Sequence, residues 1–344
     1  MSDHNIKLLV ESKIPFVGGL LEPFADVRYL APEDITSDAV RGADGLVVRT
    51  RTRCDASLLE GSRVKFIATA TIGTDHIDAD YCRSRGITVA NAPGCNAPAV
   101  AQYVFATLLR LINRPLQSYT IGVVGVGHVG SIVARWAEDF EMKVLRCDPP
   151  RQRAEGGNGW CDLATIAREA DIVTFHTPLT REGSDKTYRL ADEAFFSSLR
   201  RAPIVINCAR GGIVDEAALI EARKAGKVGG IVIDCWEGEP ELNRELLRLA
   251  DIATPHIAGY SREGKQRASQ MALDALCRFF GFPTLKIDAP ATPPAPATVA
   301  KRAVYRSYDP IPESRALKAA PDNFEQIRNS YPLRREAPAG RDPR

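Results

Sequence analysis

The sequence has no run of about 18 consecutive apolar residues, the length a membrane-spanning helix needs, so a membrane partner is not expected. Its first residues lead only into the short Ile6-Lys7-Leu8-Leu9-Val10 run, which lacks the apolar stretch of a secretory signal; the expected location is cytoplasmic. Cys54, Cys82, Cys95, Cys147, Cys161, Cys208, Cys235 and Cys277 form no Cys-x-x-Cys pair. In a chain of this kind such scattered cysteines are expected as small apolar core residues, not as disulfides or zinc ligands. No Ser/His/Asp order and no cluster with metal-ligand spacing stands out, so no metal is expected. Charge of one sign is also scarce: 45 Lys+Arg against 43 Asp+Glu leave +2, too little to argue for nucleic acid. No internal repeat is evident.

What is present is an α/β pattern in 344 residues, enough for roughly two domains. Short apolar strands are expected at 6–10, 45–49 and 65–70, then a helix over 95–113 with Val100, Val104, Leu108, Leu111 and Ile112 in one stripe. From Tyr119 a second series begins, with strands at 120–124, 143–148, 171–176, 203–207, 230–234 and 251–254. Continuous Val/Ile-rich strands alternating with helices indicate parallel sheets covered on both faces. Another helix is expected over 263–280. Beyond Gly281 the composition changes. Residues 282–344 hold 11 of the 23 prolines and carry +4, and 289–296 read as a stiff, extended linker.

Gly125-Val126-Gly127-His128-Val129-Gly130 follows a strand and opens a helix, and a second strand ends in Asp148, 18 residues after Gly130. In the dinucleotide-binding fingerprint the first glycine permits the turn, the second admits the pyrophosphate and the third lets helix and strand pack. His128 and Val129 fall inside this stretch, although a solvated His128 is the blander reading. Asp148 is placed to accept hydrogen bonds from a ribose and to repel a 2′-phosphate, which favours NAD over NADP. Arg146, Arg151 and Arg153 stand nearby and could instead hold that phosphate.

Three further motifs place polar groups just past three strands: Arg210 in Asn207-Cys208-Ala209-Arg210-Gly211-Gly212, Glu239 in Asp234-Cys235-Trp236-Glu237-Gly238-Glu239-Pro240, and His256 in Thr254-Pro255-His256-Ile257-Ala258-Gly259-Tyr260. Ligands of open parallel sheets bind beyond the carboxyl ends of strands. Hydride transfer from an alcohol needs a proton acceptor, which suits His256, a carboxylate to orient it, which suits Glu239, and a cation for a substrate carboxylate, which suits Arg210. Each alone has an ordinary structural reading; their coincidence argues for chemistry. His176 is expected to line a cofactor pocket, and His76 to stabilise a turn.

Together these residues resemble the D-isomer-specific 2-hydroxyacid dehydrogenase family. The resemblance is carried also by Ala68-Thr69-Ala70-Thr71-Ile72-Gly73-Thr74-Asp75-His76, Ala92-Pro93-Gly94-Cys95-Asn96-Ala97, Cys147-Asp148-Pro149-Pro150-Arg151, Phe175-His176-Thr177-Pro178-Leu179, Trp236 to Asn243 and His256 to Ser261, and spans roughly residues 6 to 281. It implies two Rossmann-like domains, the NAD-binding one (96–257) inserted into a discontinuous substrate domain (1–95 and 258–281). It implies Arg210, Glu239 and His256 as catalytic residues, and Thr177, Asp234 and Gly259 beside Asp148 as NAD contacts. Thr50, Thr71 and Tyr260 are implied as substrate contacts. The branch most resembled oxidises a phosphorylated 2-hydroxy acid in pyridoxal 5′-phosphate biosynthesis, and Arg49, with Arg51 second, is placed to meet the phosphate. That branch ends in a dimerisation domain, so a homodimer is a possible state, but here 282–344 read as a linker and a shortened form of that domain. Two alternatives are a dehydrogenase of another D-2-hydroxy acid and a nicotinamide-sensing binding protein.

Overall fold

The computed structural model describes residues 6–287, 304 and 306–337. The chain divides into two units, one comprising residues 1–96 and 262–292, the other 97–261 and 293–344. The first holds β1 (Lys7–Glu11), β2 (Asp26–Leu30), β3 (Gly45–Val48), β4 (Phe66–Thr69) and β5 (Thr88–Ala90). All pairings are parallel and the order is β2-β1-β3-β4-β5. β1, β3 and β4 are the strands expected from their apolar runs. β2 and β5 were not expected: β2 (DVRYL) is a half-exposed edge with no apolar run, and β5 has only three residues. β3 lies at the centre of the sheet, where the order reverses between β1 and β3. Arg49 and Thr50 therefore follow a central strand at a topological switch point, where open α/β sheets bind ligands.

The second unit holds β6 (Thr120–Val124), β7 (Lys143–Cys147), β8 (Ile172–Phe175), β9 (Ile204–Asn207), β10 (Gly230–Ile233) and β11 (Ile252–Ala253), again all parallel, in the order β11-β10-β9-β8-β6-β7. Here the switch point lies between β6 and β8. One face is covered by Val173, Phe175, Phe195 and Trp236 with their neighbours. The other is covered by Val104, Phe105, Val133 and Trp136, from the helices Ala97–Leu111 and His128–Asp139. Seven of the eight cysteines are buried and only Cys161 is partly exposed, in keeping with small apolar packing residues.

The C-terminal segment behaves differently from a linker and a separate remnant. The expected extended stretch at 289–296 falls outside the described residues. The helices Ile311–Ala319 and Phe324–Asn329 bring Leu317 and Phe324, both fully buried, into the core of the second unit. Val304 and Ala337 join its other core. Ser314 Oγ accepts a hydrogen bond from the Ala253 N–H at 3.0 Å, which caps the short edge strand β11. Composition is a local property and could not reveal these long-range contacts. Phe324→Ala is expected to cost about 3–5 kcal/mol. Because Trp136, Trp160 and Trp236 all lie in this unit, their fluorescence during urea unfolding reads the loss; a midpoint equal to wild type would show that the tail is not part of the core.

Candidate active site

The glycine loop connects β6 to the helix His128–Asp139 at the switch point of the second sheet. Gly125 has φ +84°, and a Cβ there would lie 2.8 Å from the backbone of His176 and Thr177, which follow β8. Gly130 is tighter: a Cβ would sit 1.9 Å from the Gly125 carbonyl oxygen. Gly127, by contrast, opens onto empty space, with nothing within 4 Å of its Cβ position. One turn, one close packing and one open approach fit a pyrophosphate over the helix start. The exposed His128 starts that helix, followed by Val129. Asp148 Oδ2 accepts from the Val126 N–H at 2.8 Å, which ties the acid after β7 to the glycine loop, and Oδ1 accepts from the Arg151 N–H at 3.0 Å.

The three arginines that could have held a 2′-phosphate are otherwise engaged. Arg146 pairs with Glu138 at 2.6 Å, Arg153 with Asp185, and Arg151 with Glu155, the Val126 carbonyl and Ser131 Oγ. Thr177 adjoins the loop with its buried Oγ1 lacking a protein partner. His176 Nε2 lies 2.9 Å from Thr174 Oγ1, its Nδ1 is buried without a partner, and burial lowers its pKa to about 3. It is a neutral wall residue, not a proton carrier at ordinary pH.

At the carboxyl ends of β9, β10 and β11 stand Arg210, Glu239 and His256. His256 Nδ1 is 3.0 and 2.9 Å from the two Glu239 oxygens. A carboxylate only accepts, so Nδ1 carries the hydrogen; in the neutral imidazole Nε2 is then left with its lone pair, and only the protonated ring adds a charge beside Glu239. Burial alone pushes the Glu239 carboxyl up. The His256 charge, its hydrogen bond, the Trp236 N–H at 2.9 Å and the Arg328 charge together hold it below its ordinary value. His256 itself sits at φ +55°, a region that a residue with a side chain adopts only when its surroundings hold it there.

Those surroundings begin with Asp234, which is 1% exposed. Its Oδ1 accepts from Thr254 Oγ1 at 2.6 Å and the Ile257 N–H at 2.8 Å, and its Oδ2 from the Ala258 N–H at 2.9 Å. Asp234 is therefore the anchor of the His256 loop, and any contact with a cofactor has to be shared with these bonds. Gly259 lies next in the loop, partly exposed. Tyr260 Oη accepts from Arg328 Nε at 3.2 Å. On the Arg210 side, Asn207 Nδ2 donates to the carbonyls of Arg210 at 2.9 Å and Cys235 at 3.2 Å. Gly211 packs so closely that a Cβ would meet the Trp236 carbonyl at 1.9 Å. Sequence reasoning missed Asn207 and Gly211, although the Gly211-Gly212 pair after a strand was a usable signal for the close approach. It also missed Arg328, which lies 68 residues from Tyr260 and 89 from Glu239 and left no local signal for either.

Cys235 Sγ, a Glu239 oxygen and a His256 nitrogen lie within 4.8 Å of one another. The thiol is pushed well above its usual value, by burial first and by Asp234 and Glu239 next. Nearby, burial pushes Glu216 up to about 7, even though its Oε1 accepts the Glu237 N–H at 2.7 Å.

Thr50, Thr71 and Arg49 belong to the first unit. Thr71 Oγ1 lies 2.7 Å from Thr69 Oγ1 and donates to the Gly73 carbonyl at 2.9 Å, while His76 Nε2 is 3.1 Å from Thr69 Oγ1, so His76 does brace this turn. The buried Glu11 at the end of β1 accepts from the Arg49 N–H at 2.9 Å and from Thr52 Oγ1 at 3.1 Å, which shapes the turn that presents the exposed Thr50. The Arg49 side chain is tethered by Nη1 to the Lys13 carbonyl at 3.2 Å.

Residues 101–258 match the model of the D-isomer specific 2-hydroxyacid dehydrogenase NAD binding domain. The chain is 50% identical to an erythronate-4-phosphate dehydrogenase of Bacteroides thetaiotaomicron, over 97% of this chain and 98% of that protein. It is 44% identical to one of Porphyromonas gingivalis, over 97% and 94%. The chain belongs to the erythronate-4-phosphate dehydrogenase family. Its fold is also that of a D-lactate dehydrogenase from Aquifex aeolicus solved with NAD and lactic acid: the TM-score is 0.69 at 27% identity, over 80% of this chain and 95% of that one. This family's protein is thus an NAD-dependent D-2-hydroxyacid dehydrogenase with two Rossmann-like domains. The C-terminal segment that reads as shortened is matched in length by the Bacteroides relative. No helix among the described residues is long and apolar enough to cross a membrane. Gly130→Ala is expected to raise the Kd for NADH at least tenfold while the protein stays folded, because its Cβ would collide with the glycine loop. Quenching of tryptophan fluorescence by NADH measures it, and wild-type affinity would refute this reading of the loop.

Proposed function

We propose that the protein oxidises 4-phospho-D-erythronate at C2 to (R)-3-hydroxy-2-oxo-4-phosphooxybutanoate, a step of pyridoxal 5′-phosphate biosynthesis. The observation that carries the chemistry is the His256–Glu239 pair, with both carboxylate oxygens within 3.0 Å of Nδ1. Nε2 of His256 takes the proton of the C2 hydroxyl. The ionised Glu239 fixes the imidazole tautomer and stabilises the imidazolium that forms. Arg210 binds the substrate carboxylate and steadies the developing carbonyl. NAD, when bound, accepts the hydride released as the C2–H bond breaks. Gly125, Gly127, His128, Val129, Gly130, Asp148, Thr177, Asp234 and Gly259 would hold it, with Asp148 on the ribose.

Thr50, Thr71 and Tyr260 are the proposed substrate contacts. Arg49, then Arg51, is the proposed phosphate partner, supported by its place after a central strand at the switch point of the first sheet. The reading includes a homodimer, carried from the resemblance to relatives, and a cytoplasmic location, the expectation from the sequence.

Spectrophotometric assay of NADH formation separates the possible acids. The expected result is at least a hundredfold preference in kcat/KM for 4-phospho-D-erythronate over D-lactate, D-glycerate and 3-phospho-D-glycerate, about 2.7 kcal/mol of transition-state discrimination. His256→Ala is expected to lose roughly 10²–10⁴ of kcat while binding NADH normally. Better turnover of another acid would keep the chemistry and discard the substrate. NADH binding without turnover of any of them would favour a sensor.

A further inference from the structure

The backbone of the His256 loop has two rows of polar groups to satisfy. Its N–H groups at Ile257 and Ala258 face the Asp234 carboxylate on one side. Its carbonyls face the opposite way, onto a single side chain from the C-terminal segment. Arg334 Nη1 donates to the carbonyls of Ile257 and Tyr260, each at 3.0 Å. Nη2 donates to the Ala258 carbonyl and, at 3.0 Å, to that of Ala99 in the helix Ala97–Leu111. Nε donates to Gln102 Oε1 at 3.1 Å.

A guanidinium has five N–H donors, and all are engaged: Nη1 adds a longer contact with Tyr331 Oη at 3.3 Å to these five acceptors. The group is 9% exposed and lies 4.3 Å from the Tyr308 ring centroid, which covers one face of the plane. The same tail adds a bridge between Ser261 and Arg334, and Ser261 Oγ donates to Glu336 Oε1 at 2.7 Å.

We propose that Arg334 is a positioning residue for His256: it clamps three consecutive-turn carbonyls from the face opposite Asp234 and so holds the loop in the geometry that seats the imaginary line from Glu239 through the imidazole toward substrate. The physical case is one of charge and fit. An anion grips the loop's donors and a cation grips its acceptors, and His256 at φ +55° lies at the start of the gripped segment. Bonds to a charged partner are roughly twice as strong as neutral ones. A left-handed backbone at a residue with a side chain is strained, and such a clamp holds it in place. Lysine keeps the charge but has a point-like ammonium that cannot span four carbonyls and an amide oxygen. The inference rests on the reading of His256 as proton acceptor, and it makes the tail part of the catalytic apparatus without touching substrate.

The test compares Arg334→Lys and Arg334→Ala with wild type and with Leu317→Ala, a tail-core variant that destabilises the same segment away from the loop. With 4-phospho-D-erythronate and NAD, Arg334→Lys is expected to lose at least tenfold in kcat with the KM for NAD changed less than threefold. Leu317→Ala is expected to keep kcat within threefold at a temperature where it is folded. Guanidinium ion at tens of millimolar is expected to restore kcat of Arg334→Ala at least fivefold, and urea at the same concentration is not. Independently of any substrate, hydrogen exchange of the peptide spanning 254–261 is expected to speed at least tenfold in Arg334→Lys while the peptide spanning β6 is unchanged. Wild-type kcat and unchanged exchange in Arg334→Lys would overturn the proposal. If wild type fails to oxidise 4-phospho-D-erythronate, the substrate reading falls and the exchange measurement still decides this one.

Discussion

A carboxylate and an imidazole held within hydrogen-bonding distance in a largely buried setting impose the constraint around which the second unit is arranged. Left to burial alone, Glu239 would be protonated more readily than a carboxylate in water and would lose the charge that stabilises an imidazolium. The surrounding groups prevent this: the Trp236 N–H, the His256 charge and the Arg328 charge all favour the ionised form. The pair in turn has to be delivered by two separate loops, after β10 and after β11. Most of the unusual features nearby follow from holding those loops. Asp234 binds the His256 loop through its N–H groups and Arg334 through its carbonyls. Asn207 ties the Arg210 loop to the Cys235 carbonyl, and Gly211 allows the approach to Trp236.

The cofactor end obeys a different constraint, set by backbone volume instead of charge. Gly125 and Gly130 exist because the chain passes itself too closely for a Cβ, whereas Gly127 leaves room that the protein does not fill. Asp148 is bound to the same loop through Val126, so the ribose acid and the phosphate loop form one rigid piece. With Arg146, Arg151 and Arg153 committed to carboxylates, the surroundings of Asp148 offer an anion and little free positive charge, in accord with NAD.

Much of this was legible in the sequence because the signals were local. The Val/Ile runs gave nine of the strands, and the glycine spacing with Asp148 gave the cofactor loop. Arg210, Glu239 and His256 could be picked out because each lies a few residues past such a run. What escaped had a physical reason in each case. β2 alternates polar and apolar residues over only five positions, and β5 is three residues long, so neither forms an apolar run to detect. The Asp234 anchor was visible as a residue but not as a role, since its partners were named only as neighbours in a motif. Arg334 and Arg328 lie in the stretch that reads as a shortened dimerisation domain, with no sign of contact to the catalytic loops. Their meaning comes from contacts across 68 and 77 residues, which no window along the sequence contains.

The central claim is that Glu239 is kept ionised by His256 against the effect of its own burial. Selective ¹³C labelling of glutamate side chains lets the Glu239 carboxyl be titrated by NMR in wild type and in His256→Ala. A depressed folded value means that the pair's stabilisation is present above the unfolded value and is lost as pH falls through the folded one. The account predicts a wild-type midpoint below the ordinary glutamate value of about 4.3, and an upward move in His256→Ala as burial prevails. A midpoint that stays where it was, or moves down, would contradict it.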